Sequence, residues 1–166
     1  MGQAIVDWIM EIFGANLGGV IGTFFISMLP VIELRGAIPV AFALGLNWQT
    51  AFICAIIGNI LPVPFILLFI NWIFAFMKKH NILTKFVVKL EEKAVAKSSQ
   101  AMKFQFWGLA IFVAIPLPGT GAWTGALIAA IMKMNRKSAF LSILTGVLCA
   151  GVLVTTITYF LVGSFI

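Results

Sequence analysis

Long apolar stretches without a charged residue dominate this chain, and short charged clusters separate them. They cover residues 15–32, 36–77, 104–132 and 138–166. A helix needs roughly 20 apolar residues to cross a bilayer, so the second stretch must contain two elements. The chain is 62% hydrophobic and only 10% charged, whereas charged residues make up about a quarter of a soluble domain. The pattern predicts an all-α integral membrane protein that forms a single membrane domain, residues 1–166.

Two breaks interrupt the apolar stretches, at residues 30–39 and 116–121. Both contain proline and glycine, which respectively remove a helical hydrogen bond and admit unusual backbone conformations. The apolar pieces beside them, 36–46 and 107–117, would each reach only about 16 Å as a helix. Since the hydrocarbon core is about 30 Å thick, we expect two re-entrant helical hairpins, each entering and leaving the membrane on one face.

The two halves of the chain match each other at an offset of 88 positions. This register aligns identical residues: Pro30 with Pro118, Ala41 with Ala129, Asn47 with Asn135, Ala51 with Ala139, Phe52 with Phe140 and Gly58 with Gly146. It predicts two inverted repeats, at about 1–77 and 104–166, joined by a basic connector at about 78–103. Each repeat would be a re-entrant hairpin followed by a transmembrane helix, with polar corners at 47–49 and 133–137. Inverted repeats are typical of transporters with a binding site near the bilayer midplane.

The basic residues are concentrated in two places. Ten of the eleven Lys and Arg residues lie within 78–103 and 133–137. The expected topology puts both clusters on one face, which the positive-inside rule makes cytoplasmic. The net charge of +6 therefore reflects membrane topology and predicts no nucleic-acid partner. We expect the cytoplasmic (inner) membrane of a bacterium or archaeon, with the basic connector on the cytoplasmic side.

Two segments are expected to be amphipathic helices on the membrane surface. Residues 82–102 carry apolar side chains at helical spacing, and Lys85, Lys89, Lys93 and Lys97 follow one another every four residues. Such a face suits anionic headgroups. The alternative is an ordinary solvated helix. Residues 4–13 form a shorter, weakly acidic equivalent.

Glu33 and Arg35 are the leading candidate site residues. Arg35 is the one basic residue outside the two clusters, and both charges lie in an otherwise apolar stretch. A charge at the bilayer centre costs roughly 2.5–3.5 kcal/mol on insertion scales, so such residues are functional candidates. The alternative is a neutralising pair that only fixes the hairpin tip. Glu33 could exchange a proton, Arg35 could bind carboxylate or phosphate, and Gly36 is expected to open a short helix whose N-terminus points into the same space.

The second break offers polar groups without a formal charge. Gly119 and Gly121 could present backbone amides to an anion, and Thr120, Trp123 and Thr124 add two hydroxyls and an indole. The alternative is a tight membrane turn. Asn59, in the first long span, could line a cavity or could form a hydrogen bond between helices.

An enzyme is not expected. The chain lacks a Ser-His-Asp or Cys-His set at usable depth, a pair of intramembrane Asp residues and a metal-ligand cluster. We therefore predict no cofactor and no metal. Cys54 and Cys149 both fall in apolar spans and are expected to be packing residues rather than a disulfide.

Two motifs carry a family resemblance that covers nearly the whole chain. The segments Glu33-Leu-Arg-Gly-Ala-Ile-Pro39 and Pro116-Leu-Pro-Gly-Thr-Gly-Ala-Trp-Thr-Gly125 resemble signatures of the putative small multidrug export protein family, which is similar at a distance to the DedA superfamily. The resemblance implies paired re-entrant hairpins that meet inside the membrane, and proton-coupled transport or movement of lipid-linked phosphate carriers and phospholipids. Glu33 fits the acidic residue expected in the first DedA hairpin. The arginine expected in the second hairpin is absent, and Arg35 could supply that charge from the other tip.

These observations predict a small transporter, proton-coupled and moving an amphipathic or lipid-linked anionic substrate that bears phosphate. Small-molecule or multidrug efflux is the alternative, because Glu33 and aromatic residues such as Trp123 would attract a cation. An uncoupled scramblase-like or structural membrane protein is the competing class. The expected partners are the lipid bilayer, the lipid-like substrate and protons. With so few helices to seal a pathway, the unit is also compatible with a homodimer.

Overall fold

A computed structural model describes residues 15–69, 101–117 and 119–164 of the chain. In these ranges the fold is entirely helical, with six α-helices that we number in chain order: α1 Ala15–Met28, α2 Glu33–Ala43, α3 Trp48–Ile60, α4 Ala101–Ala114, α5 Ala122–Ile131 and α6 Arg136–Thr155. Helical structure continues past α3 and α6, so that two long helices run over Trp48–Phe69 and Arg136–Ser164. The expected surface helix at 4–13 and nearly all of the one at 82–102 lie outside the described residues.

Asparagine begins both long helices. The side-chain oxygen of Asn47 accepts a hydrogen bond from the N–H of Thr50, 2.8 Å away, and that of Asn135 accepts from the N–H of Lys137 at 3.0 Å. Each side chain thereby satisfies an amide that the first helical turn leaves unpaired. The two polar corners predicted from the sequence therefore mark helix starts, which lie two residues earlier than the spans expected at about 50 and 138.

The first break is shorter than the sequence suggests. We expected the helix after it to open at Gly36, but α2 begins at Glu33 and contains Pro39. The chain reverses within four residues because Glu33 itself adopts a left-handed φ of 51°, and the N–H of Gly36 already bonds to the carbonyl of Ile32. Proline removes its own N–H donor and crowds the carbonyl four residues before it, yet α2 continues through Pro39, whose ring is exposed.

Small residues let the helices approach closely. The most extensive packing pairs α1 with α3 and α4 with α6, and α3 packs against α6 between these pairs. In the described ranges, half of the buried apolar side chains are alanines. A Cβ on Gly58 would meet Ser27 and the backbone of Phe24 on α1, and one on Gly146 would meet Val113 and the carbonyl of Ala110 on α4. Small residues at such crossings are typical of helices packed within a membrane.

Large apolar side chains lie on the outside. On the first long helix, Ile53, Ile57, Leu61, Phe65 and Leu68 are all at least 44% exposed, and their spacing of three to four residues puts them on one face. A soluble monomer rarely exposes an apolar patch of this extent. Both long helices are long and apolar enough to cross a bilayer. Together with the small-residue core, this surface indicates a membrane protein.

Tyr159 connects the end of the chain to the first corner. Its hydroxyl donates to the carbonyl of Leu46 at 2.9 Å, and its ring meets that of Phe42 edge to face, with centroids 5.0 Å apart. These contacts tie the last part of the second long helix to the turn between α2 and α3.

Candidate functional site

The turns between the paired short helices contact each other, with Glu33, Gly121 and Ala122 buried at the contact and most other residues of the turns exposed. We call residues 29–36 tip one and residues 115–123 tip two. Tip one connects α1 to α2 and carries both charges, whereas tip two connects α4 to α5 and carries none. The structure thus brings together two segments that lie more than 80 residues apart in the chain.

Arg35 binds the backbone of the second hairpin. One guanidinium nitrogen donates to the carbonyls of Leu117, at 2.6 Å, and Thr120. The other donates to those of Val113, at 3.2 Å, and Ile115, at 3.1 Å. Because α4 ends at Ala114, these carbonyls belong to its last turn and to the irregular backbone beyond it. Such groups have no intrahelical partner, and a cation at a helix C-terminus is also favoured by the helix dipole.

Glu33 binds the opposite end of the same turn. Its carboxylate accepts a hydrogen bond from the N–H of Trp123 at 3.3 Å, and the N–H of Ala122 contributes a second interaction. Both amides belong to the first turn of α5, where unpaired N–H groups and the helix dipole favour an anion. The Glu33 side chain is only 4% exposed, so it depends on these partners for solvation.

Tip one therefore clamps tip two at both ends. Glu33 occupies the N-terminus of α5 and Arg35 the C-terminus of α4, each charge facing the helix end of opposite polarity. Their hydrogen bonds go to tip two rather than to each other, although Arg35 still acts on Glu33 through its charge. The hydrogen bonds of both residues therefore cross to the second hairpin instead of closing within tip one.

Trp123 and Gly121 complete the contact. The indole N–H of Trp123 donates to the carbonyl of Met28 at 3.1 Å, which satisfies an unpaired carbonyl at the end of α1. Gly121 is buried with φ of 152°, and a Cβ there would collide with the Glu33 carboxylate. Glycine is thus required twice at this position, for its backbone conformation and for the space that the carboxylate fills.

The remaining predicted residues of tip two have lesser roles. The hydroxyl of Thr120 donates to the carbonyls of Ile115 and Leu117, at 2.7 and 2.8 Å, and thereby stabilises the turn. Gly119 is exposed with φ of 85° and open space around it. Thr124 is half-buried one residue beyond the contact with Glu33.

Asn59 is not part of the tip contact. It lies on α3 with no exposed surface, and neither polar atom of its amide has a hydrogen-bond partner among the described residues. A buried unpaired amide lowers the free energy of unfolding by roughly 1–3 kcal/mol, and nothing in the described structure explains this cost. The structure shows no contact between Asn59 and Glu33 or Arg35.

The sequence could not identify the main-chain acceptors. The carbonyls of Met28, Val113, Ile115 and Leu117 contribute as much to the contact as the side chains do, and main-chain groups have no signature of their own. The only signal was the absence of an arginine from tip two, which pointed to Arg35 as its source of positive charge. In the described ranges, no group of three or more His, Cys, Asp or Glu side chains is placed to hold a metal ion.

Comparison with known proteins places the chain in one family. No curated protein and no solved structure matches the chain. The sequence model of one family, described as "Putative small multi-drug export protein", matches residues 33–153. The match begins at Glu33 and includes the second half of tip one, all of tip two and most of the second long helix. An export family implies a transporter rather than an enzyme. The chain belongs to the putative small multi-drug export protein family.

Proposed function

We propose that the chain exports small molecules across a membrane, and that the contact between tip one and tip two is its gate. The observation that carries this proposal is the reciprocal clamp, in which Glu33 and Arg35 hold opposite ends of tip two. A charged contact inside an apolar helical protein is costly. Such a contact is suited to a closed state that a proton or a substrate can open.

Matching local structure in the two halves supports an inverted repeat. The residues Leu44, Gly45 and Leu46 end α2 with the same pattern of backbone hydrogen bonds that Met132, Lys133 and Met134 make at the end of α5. Positive φ at Glu33 recurs 88 residues later at Gly121, and positive φ at Gly45 recurs at Lys133, whereas Gly119 has positive φ without a counterpart in the first half. The capping residues Asn47 and Asn135 are separated by the same offset, which is the one that aligns the sequences.

The short helices suit re-entrant hairpins. The helices beside the tips contain 10 to 14 residues, and 14 residues rise only about 21 Å, against a hydrocarbon core of about 30 Å. Non-helical backbone at such depth needs partners within the protein, and Arg35 provides them for tip two. We propose that each hairpin enters and leaves on one face, with the two long helices crossing the membrane. We also propose that the chain is distantly related to DedA proteins and that it forms a homodimer.

Protonation of Glu33 would open the gate. The carboxylate is held at the N-terminus of α5 by its negative charge, so neutralising it removes the dipole interaction and weakens the hydrogen bond to Trp123. Arg35 is the charged group of the described structure that acts on it. With Glu33 neutral, the contact would depend on Arg35 and its bonds to the carbonyls of the second hairpin alone.

The geometry favours small-molecule efflux over an anionic, lipid-linked substrate. The two terminal nitrogens of Arg35 already donate to four carbonyls. In this closed state they are therefore not available for bidentate hydrogen bonds to a phosphate. Glu33 and the Trp123 ring beside it instead suit a cationic, amphipathic molecule, by charge and by cation–π attraction. To bind a phosphate-bearing substrate, Arg35 would have to exchange its carbonyl partners for the phosphate when the tips separate. An uncoupled scramblase, in contrast, would not require Glu33 to gain or lose a proton.

A ligand screen of the purified protein tests the substrate class. A ligand raises the melting temperature only if it binds the folded state more tightly than the unfolded state. We expect cationic dyes to stabilise the wild-type protein and to have less effect on Glu33→Gln. Polyprenyl phosphate or phospholipid could instead stabilise the protein at the tips, with the effect lost in Arg35→Ala and kept in Glu33→Gln. That result would favour transport of a lipid-linked substrate over small-molecule efflux.

A further inference from the structure

A basic cleft lies at the corner where α5 ends and α6 begins, away from the two tips. Its volume is about 640 Å³, and Lys133, Arg136 and Lys137 line it together with Asn135. A neighbouring cleft of about 320 Å³ shares Arg136 and Lys137 with it. The lining of this second cleft is otherwise apolar and includes Pro64, Leu68 and Phe140. The corner thus joins the basic cleft to this second cleft, which we call the apolar groove and which runs along the first long helix.

The charge at this corner is not neutralised by the described lining. Three cations fall within five residues, and no acidic side chain is found among the described residues of either cleft. All three cations have exposed side chains. The first turn of α6 adds its dipole and its unpaired amides to the same space. Together these groups form a local excess of positive charge that an anion would reduce.

Lys133 occupies a backbone conformation that favours glycine. Among the described non-glycine residues, only Glu33 and Lys133 have positive φ, and both have φ of 51°. The equivalent position in the first corner is Gly45, with φ of 74° and the same hydrogen-bonded turn. Backbone energetics alone would select glycine here as well. Since strained residues are concentrated at functional sites, we infer that the Lys133 side chain is retained for what it binds in the cleft.

We propose that this corner binds the headgroup of an anionic phospholipid, with Lys133, Arg136 and Lys137 around the phosphate and an acyl chain along Pro64, Leu68 and Phe140. Basic pockets between transmembrane helices are suited to such headgroups. The apolar groove favours a lipid over a soluble phosphate, because only a lipid has an acyl chain that can occupy it. The site is independent of the gate, since none of its residues belongs to tip one or tip two.

Thermal unfolding of the full-length chain in mixed micelles tests the proposal without measuring transport. We expect phosphatidylglycerol to raise the melting temperature, and phosphatidylcholine with the same acyl chains and inorganic phosphate to have little effect. In Arg136→Gln/Lys137→Gln, the rise should fall by about half or more, because ligand stabilisation follows affinity.

Lys133→Gly provides the sharper variant, because it relieves the strained φ while it removes the charge. We expect its melting temperature in phosphatidylcholine to equal or exceed that of the wild type, yet its response to phosphatidylglycerol to fall. Lys103→Gln, which removes one charge from the other basic cluster of the sequence, is the matched control and should keep the full response. An equal response of all variants would overturn the proposal. So would an equal rise with phosphatidylcholine, or a full effect of inorganic phosphate.

Discussion

The carboxylate of Glu33 lies 3.3 Å from the main-chain nitrogen of Trp123, which follows it by 90 residues. This bond joins the two hairpins at the point where α5 begins. It is paired with the bonds of Arg35 to the backbone of tip two. The four following predictions test the architecture around this contact, and the last tests the contact itself.

Arg35 should be needed for stability as well as for transport. In Arg35→Ala, the carbonyls of Val113, Ile115, Leu117 and Thr120 lose the guanidinium as a donor, although those of Ile115 and Leu117 keep the hydroxyl of Thr120. A hydrogen bond to a charged group contributes about 1.5–3 kcal/mol, and less where the guanidinium is exposed, so we expect a clear drop in the melting temperature in detergent. Arg35→Lys should recover only part of the loss, because one ammonium group cannot reach all of these acceptors. Unchanged unfolding of Arg35→Ala would mean that the guanidinium bonds do not hold tip two.

Gly121 and Gly119 form a matched pair for testing the carboxylate position. Both have positive φ, but only at Gly121 would a Cβ collide with Glu33, whereas the space around Gly119 is open. Gly119→Ala should therefore cost about 1–2 kcal/mol of conformational strain. Gly121→Ala should cost more and should also abolish transport. Equal effects on the melting temperature and on transport would argue that Glu33 does not fill the space beside Gly121.

The helix crossings should respond equally in the two halves. Gly58→Ala and Gly146→Ala each insert a methyl group against backbone and side chains of a neighbouring helix, and overpacking costs about 1–3 kcal/mol. Gly22→Ala and Gly108→Ala are the controls, because nothing lies within 4 Å of a Cβ at either position. We expect the controls to be neutral or slightly stabilising. If one crossing tolerated alanine and the other did not, the packing of the halves would not be equivalent.

Much of this fold follows from the hydrophobic pattern. The two corners were predictable, since Asn47 and Asn135 interrupt apolar sequence and asparagine is a strong N-cap. The start of α2 was not, because Glu33 adopts a left-handed φ that is rare for a glutamate. The charged pair was identifiable from its cost in an apolar stretch. Its partners were main-chain groups of a segment distant in sequence, and only the tertiary structure could identify them.

The inverted topology predicts that the two corners lie on opposite faces of the membrane. Gln49→Cys and Lys137→Cys, in a background with Cys54 and Cys149 replaced by alanine, introduce exposed thiols beside each corner without disturbing the Asn caps. A membrane-impermeant maleimide applied to intact cells should label one of them only. Disrupted cells, in which both should react, provide the control. Labelling of both sites from one side would refute the inverted arrangement.

The pH dependence of transport in Glu33→Gln tests the gate most directly. Glutamine keeps the shape of the side chain but cannot carry the charge that holds α5. In proteoliposomes that contain the wild-type protein, we expect an imposed pH gradient to change the export rate of a cationic dye by about tenfold. This change is equivalent to about 1.4 kcal/mol in barrier height. Glu33→Gln should remain folded and should lose this dependence. An unchanged pH dependence in a folded Glu33→Gln protein would contradict the proposed role of Glu33 as the titrating gate residue.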